Sequence, residues 1–290
     1  MRILYPFAKR FIAGEDRATA VKNIKSLYDQ GFLCTVDVLG ESVHTEDQAI
    51  AAKNEYLALL KDIATFHRPV DISAKVSALG MDINYDLCKE NTEELIDAVG
   101  HHTVRFDMEG SDLTARTLKL GLELQKTHKN LGVVLQAYLR RTDQDIQSVI
   151  DQGVSTRLCK GAYKEPETLA YHSMDEIRKN FLKQALRLLK EGNMPAIATH
   201  DEILIEQISE FIEKENIPRE SFYFELLYGV RRDIQQALLN KGYQVRIYVP
   251  YGKAWLPYTL RRLAERKENV IFIVRNLIRE TLGLGNFSKS

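Results

Sequence analysis

Near the end of the chain, Tyr258 is followed three and four residues later by two adjacent guanidiniums, Arg261 and Arg262. On a helix this spacing puts most of Tyr258, Arg261, Arg262 and Glu265 on one face. Two planar guanidinium forks beside a phenol can grip a carboxylate through both of its oxygens. An isolated Arg-Arg pair would read as a solvated helix end. This pair gains meaning from the alternating run Val245-Arg246-Ile247-Tyr248-Val249 just before it and from seven earlier strand-like ends rich in polar groups. Those ends carry Asp37 and Glu41, Lys75, Asp107 and Glu109, Gln136 and Tyr138, Arg157 and Lys160, Thr199 and His200, and Glu225; the last strand adds Arg246 and Tyr248. Buried strands carry charge only when it is paired or functional, so the pattern exceeds what packing requires.

The turn Lys160-Gly161-Ala162-Tyr163 directly after a strand lets backbone N–H groups approach an anion, with Arg157 and Lys160 supplying charge. There is no GxGxxG after the first strand and no GxxxxGK[ST], which argues against a Rossmann site or a P-loop. No Cys nucleophile stands in the cluster, and no Ser flanked by glycines forms a nucleophile elbow. His200-Asp201 with Asp107 resembles a metal set only superficially, because the strand ends offer a single histidine; no metal is expected. A carboxylate clamp, a phosphate-binding turn and stacking aromatics together suit an enzyme that holds a phosphorylated cofactor and a small carboxylic acid. Two other classes stay open on these residues: a lyase using Lys75 or Lys160 as a Schiff-base amine, and a barrel that binds without catalysis.

The elements that must position these groups follow a simple rhythm. Strand-like runs cover 32–39, 70–76, 103–108, 132–139, 156–160, 196–199, 222–226 and 244–249. Helical periodicity fills 46–66, 84–99, 112–128, 142–152, 167–191, 201–215, 230–241 and 255–267, and a further amphipathic helix spans 15–30. Strands alternating with helices imply parallel βα units, and eight of them close into a barrel. We therefore expect an α/β fold: one domain over 1–290, a distorted (βα)8 barrel of TIM type with an N-terminal helical extension over 1–30. A short apolar run over 269–274 and a tail over 275–290 follow.

Composition agrees with a globular protein: 290 residues, 44% hydrophobic and 28% charged. Lys+Arg and Asp+Glu balance at 40 each, which argues against a general nucleic-acid binder. Cys34, Cys88 and Cys159 are widely spaced, as in a reduced cytosolic setting. The first residues lack the apolar run of a signal peptide, and no stretch approaches a membrane span.

Eight motifs occur in order: Asp37-Val-Leu-Gly-Glu41, Ser73-Ala-Lys75-Val-Ser-Ala-Leu79, Phe106-Asp107-Met-Glu109, Leu135-Gln136-Ala-Tyr138, Arg157-Leu-Cys-Lys160-Gly-Ala-Tyr163, Ala198-Thr-His200-Asp201, Leu227-Tyr-Gly229 and Tyr258-Thr-Leu-Arg261-Arg262-Leu-Ala-Glu265. Over roughly residues 20–275 the chain resembles the proline dehydrogenase family in its short monofunctional bacterial form. The resemblance implies oxidation of L-proline to Δ1-pyrroline-5-carboxylate with FAD, the first step of proline catabolism. Electrons would pass to a membrane quinone, which implies a cytoplasmic protein touching the inner membrane face transiently. Oxidation of an analogue such as hydroxyproline is the alternative within the family.

The resemblance further implies that the last helix lies over the pocket and that Arg261, Arg262 and Lys75 grip the proline carboxylate. Tyr248, Tyr258 and Leu227 would shape the pocket, and Glu41 would be a gate carboxylate closing on Arg261. Asp107 would organise Lys75 and the arginine pair, and Arg157 would face the flavin N5 edge. Gln136 would meet the pyrimidine end. Met108, Lys160, Gly161, Ala162, Tyr163, Thr199, His200 and Glu265 would hold the rest of FAD. One departure stands out: Glu225 occupies a position where relatives often carry Gln, and a place near the adenosine end would let it weaken FAD binding or retune it. Cys159 reads as core, His101-His102 as a solvated pair at the far end, Trp255 as cover for the last helix rather than a stacking partner of FAD, and Tyr138 as filler of the barrel top.

Overall fold

The computed structural model describes residues 5–264, without the side chains of Phe7 and 261–264. Eight strands pair in chain order and close: β1 (Leu33–Val38), β2 (Asp71–Ala74), β3 (Thr103–Phe106), β4 (Leu131–Gln136), β5 (Ser155–Cys159), β6 (Asn193–Ala198), β7 (Tyr223–Leu227) and β8 (Val245–Tyr251). Every pairing is parallel, and β8 returns to β1 with Leu33 opposite Arg246 and Val38 opposite Tyr251. The expected (βα)8 barrel is therefore present. Around it run α1 (Tyr5–Ala8), α2 (Arg17–Asp29), α3 (Glu46–Ile63), α4 (Tyr85–Ala98), α5 (Ser111–Leu124), α6 (Thr142–Asp151), α7 (Met174–Glu191), α8 (Glu202–Glu215), α9 (Arg232–Asn240) and α10 (Trp255–Ala264).

Side chains alternate across each strand, and this barrel uses the two faces oppositely. Val36, Ile72, Val104, Phe106, Val133, Ile197, Phe224 and Ile247 join one continuous apolar cluster with helical residues such as Ile24, Leu59, Ile63, Leu120 and Phe181. The other face is polar. Asp71 illustrates it: Thr103 Oγ1 donates to Oδ1 at 2.5 Å, and Arg105 Nε, Thr35 Oγ1 and Arg246 Nη1 donate to Oδ2 at 2.7, 3.3 and 3.4 Å. Arg105 completes its donors on the Ser155 carbonyl and hydroxyl, both at 3.1 Å. Gly132 leaves room for it, since an added Cβ would fall 2.7 Å from Arg105 Nη1.

Several expectations shift. The helix expected over 167–191 begins only at Met174, because the chain from Pro166 to Ala170 turns back to pair with Leu139. Tyr138, two residues past the end of β4, packs with Leu139, Ala170 and Ile177, and a Cβ on Gly161 would overlap its ring. His102 is not solvated: it is 3% exposed, its Nδ1 accepts from the Val70 N–H at 3.1 Å, and burial, then His101, press its pKa down to about 4. Arg246 lies near the amino end of β8, not among the carboxyl ends. Cys159 is half-buried beside the Leu135 carbonyl.

The amino-terminal segment is a strap across the β8 end of the barrel mouth. Ala13 N–H donates to Pro250, Gly252 N–H donates to Gly14, and Trp255 Nε1 donates to Glu15 at 2.6 Å. Ala8, Phe11, Ile12, Trp255 and Tyr258 form a small apolar cluster of their own, so Trp255 covers α10 as expected. Gly229 sits at φ 70°, and an added Cβ would overlap the Arg10 carbonyl oxygen. Among the described residues no helix is long and apolar enough to cross a membrane. The last residues of the helix expected over 255–267, the run 269–274 and the tail lie outside the described residues.

Burial alone would raise the Asp71 carboxyl, but Arg105 and Arg246 override it and hold it well below the usual carboxylate range. A depressed folded pKa gives stability that is present above the unfolded value and lost as pH falls through the folded one. Asp71→Asn should therefore lower unfolding free energy by about 3–5 kcal/mol near neutrality. In denaturant melts the gap to wild type should narrow as the pH drops below about 4. A gap that stays constant with pH would contradict the pairing.

Candidate active site

Asp107, just past the end of β3, is the hub of the mouth. Its Oδ1 accepts a short hydrogen bond from Arg157 Nη2, its Oδ2 accepts from Tyr248 Oη at 2.7 Å, and Lys75 Nζ lies 3.7 Å away. Lys75 donates to Asp37 Oδ1 at 2.6 Å. The positions come from alternation: Asp71, Ser73 and Lys75 share one face of β2 and its extension, and Arg105 and Asp107 share one face of β3. Burial works against the Lys75 ammonium, but Asp37, with Tyr56 and Glu41, raises its pKa above the ordinary lysine value. Lys75 is thus a fixed cation. Tyr248 stays a neutral phenol, since burial and then Asp37 push its pKa well up.

Below the hub the charges continue in strict alternation. Arg157 Nη1 donates to Glu225 Oε1 at 2.7 Å, and Nη2 also reaches Ser73 Oγ at 3.1 Å. Glu225 Oε2 lies 3.9 Å from Arg246 Nη1, which in turn meets Asp71. From mouth to floor the chain reads Asp37, Lys75, Asp107, Arg157, Glu225, Arg246, Asp71, Arg105: four anions alternating with four cations, each with relative exposure of 9% or less. Two aromatic faces support it, with the Arg157 guanidinium 5.0 Å from the Tyr248 ring and that of Arg246 3.8 Å from the Tyr223 ring. Among carboxylates, Arg157 keeps its charge: burial opposes it, but Glu225 and other neighbours raise its pKa.

A second group lines the ends of β4 to β6. Gln136 Nε2 donates to the Glu109 carbonyl at 2.9 Å. The Glu109 carboxylate accepts from Ser77 Oγ and N–H; burial nonetheless raises its pKa. Lys160 Nζ and Arg178 Nε both meet Asp201 Oδ2, at 2.5 and 2.7 Å. His200 Nε2 accepts from the Leu227 N–H at 2.9 Å, which places its proton on Nδ1 and ties β6 to β7. Thr199 Oγ1 accepts from the Asp201 N–H at 3.1 Å. The imagined metal set of His200, Asp201 and Asp107 is thus divided among separate partners.

Of the residues expected at the site, Lys75, Asp107, Arg157 and Tyr248 converge directly, and Tyr258 on α10 lies within electrostatic reach of Tyr248. Glu41, in the loop after β1, acts on Lys75. Met108 is 7% exposed beside Asp107; Leu227 closes β7 half-buried; Gly161, at φ 112°, and Tyr163 are half-buried and Ala162 exposed in the turn after β5. The side chains of Arg261 and Arg262, and Glu265 altogether, lie outside the described residues. Glu225 is 2% exposed inside the barrel, where its Oε1 meets Arg157 Nη1. Sequence reasoning gave no role to Asp37, Ser73, Asp71 or Arg105. The available signal was the polar alternation Asp71-Ser73-Lys75 and Thr103-Arg105-Asp107 within apolar strands.

Comparison with known proteins agrees with this architecture. The family described as "Proline dehydrogenase" matches residues 20–275. The chain is 34% identical over 275 residues to "Proline dehydrogenase 2" of Bacillus subtilis (strain 168), covering 94% of this chain and 91% of that protein. It is 31% identical over 283 residues to "Proline dehydrogenase" of Deinococcus radiodurans, covering 95% and 91%. The solved structure of proline utilization A (PutA) from Bdellovibrio bacteriovorus, inactivated by N-propargylglycine, superposes with a TM-score of 0.83 at 27% identity. That match covers 90% of this chain and 32% of that one, so this chain spans about a third of that larger protein. Matched over most of its length in sequence and folded as the same barrel, the chain belongs to the proline dehydrogenase family.

Proposed function

We propose that this protein oxidises L-proline to Δ1-pyrroline-5-carboxylate, with FAD as its cofactor and a membrane quinone as final acceptor. The observation that carries the reading is the hub at the barrel mouth, where Lys75, Arg157 and Tyr248 converge on Asp107. The chemistry of the donor set fits a flavin nucleotide. Arg157 and the Gln136 amide would hold the isoalloxazine, and Lys160, Thr199 and His200, with the turn at 161–163, would hold the phosphates and adenosine. When bound, FAD supplies the acceptor for the hydride from proline's Cδ.

The remaining work belongs to the chain's own side chains. Lys75, permanently protonated through Asp37, offers the substrate carboxylate one cation; the motif Tyr258-x-x-Arg261-Arg262 would add two more. Three cations in one pocket repel by a few kcal/mol at an effective dielectric of about 20, and Asp107 offsets that cost while remaining bonded to Tyr248. Tyr248 and Tyr258 would flank the pyrrolidine ring and Leu227 its apolar side. Orientation of the Cδ–H bond and a preorganised positive field at the acceptor then lower the barrel-mouth barrier together. A Schiff base on Lys75 suits the site poorly, because an amine nucleophile needs a lowered pKa while that of Lys75 is raised by Asp37.

Anaerobic addition of L-proline to the FAD-loaded protein should bleach the flavin absorbance bands. A spectrum that stays oxidised with proline but bleaches with hydroxyproline would move the substrate assignment. Arg262→Met should raise KM for proline, costing about 2–5 kcal/mol of affinity, with FAD content unchanged. Equal loss of flavin would show that Arg262 belongs to the cofactor side.

A further inference from the structure

Glu225 stands one step behind the groups given a task above. Its Oε1 accepts from Arg157 Nη1 at 2.7 Å, while Oε2 is buried with no hydrogen-bond donor among the described residues. Arg246 Nη1, 3.9 Å from Oε2, is drawn off by Asp71 at 3.4 Å and by the Tyr223 ring. The Glu225 charge is therefore directed chiefly at Arg157. Asp107, the other carboxylate on Arg157, is shared with Lys75 and Tyr248. Among the described residues Glu225 accepts a hydrogen bond from Arg157 alone, so its charge bears on how strongly Arg157 projects positive potential into the mouth.

We propose that Glu225 is a positioning residue that fixes the Arg157 guanidinium and partly neutralises it, holding the reduction potential of the bound flavin down. The inference rests on FAD binding beside Arg157. Electrostatics sets the sign: reduction adds negative charge to the flavin, and a less neutralised Arg157 favours that state. Glu225→Gln is the least intrusive change, since it keeps size and the acceptor for Arg157 while removing the charge.

The test is a spectroelectrochemical titration of the FAD-loaded protein. Glu225→Gln should favour reduced flavin about tenfold, an upward shift of about 30 mV for a two-electron couple. Arg246→Gln, which removes a cation from the same chain, should shift the potential downward, and the double variant should return close to wild type. A merely structural role would lower the melting temperature and leave the potential where it was. An unshifted potential in a Glu225→Gln protein that holds FAD and bleaches with proline overturns the proposal and leaves the function intact. A wild-type protein that takes up no FAD overturns the flavin reading, and this inference with it. Should Glu225→Gln fail to fold, Arg246→Gln decides: a downward shift supports the proposal and no shift overturns it.

Discussion

The alternation of charge through the barrel, from Asp37 at the mouth to Arg105 at the floor, is the constraint on which the rest of the structure depends. Isolated ions in such an interior would cost several kcal/mol each, and no single pair recovers that cost reliably. A chain of eight with zero net charge does so collectively, since every interior member is flanked by two opposite charges. The arrangement also holds Lys75 and Arg157 in fixed orientations and fixed protonation. A hydrophobic barrel core of equal volume could be as stable, but it would leave the mouth without preorganised cations.

The apolar work is done elsewhere. Because the inner face is occupied by ions, the main core lies between the barrel's outer face and its helices. Helix caps at Asp16, Thr45, Asn84 and Asp201 fix where those helices begin. Asp201 has a second duty, binding Lys160 and Arg178 beside the proposed phosphate side. The strap over 5–15 secures α10, and with it Tyr258, to the end of β8.

Much of this was legible in the sequence for a local reason. Eight strands and their helices follow from periodicity, which is a property of neighbours in the chain, and the polar strand ends announced where chemistry sits. Partner choice was not legible, because Glu225 and Arg157 are 68 residues apart and meet only through barrel closure. The same holds for Arg246 and Asp71, 175 residues apart. His102 looked like one half of a solvated pair, yet its ring is needed inside to accept the Val70 N–H. The strap was hidden as well, since α1 is only four residues long and its packing partner lies at the other end of the described chain.

The central claim is that the ion chain behaves as one unit. Asp71 and Glu225 are separate from each other and share Arg246. A double-mutant cycle of Asp71→Asn and Glu225→Gln, read as unfolding free energy in denaturant at neutral pH, tests this directly. The account predicts that the double variant loses more than the sum of the singles, with a coupling of about 0.5–3 kcal/mol, because Arg246 turns to whichever carboxylate remains. Additivity within about 0.3–0.5 kcal/mol would mean independent pairs and would contradict the account.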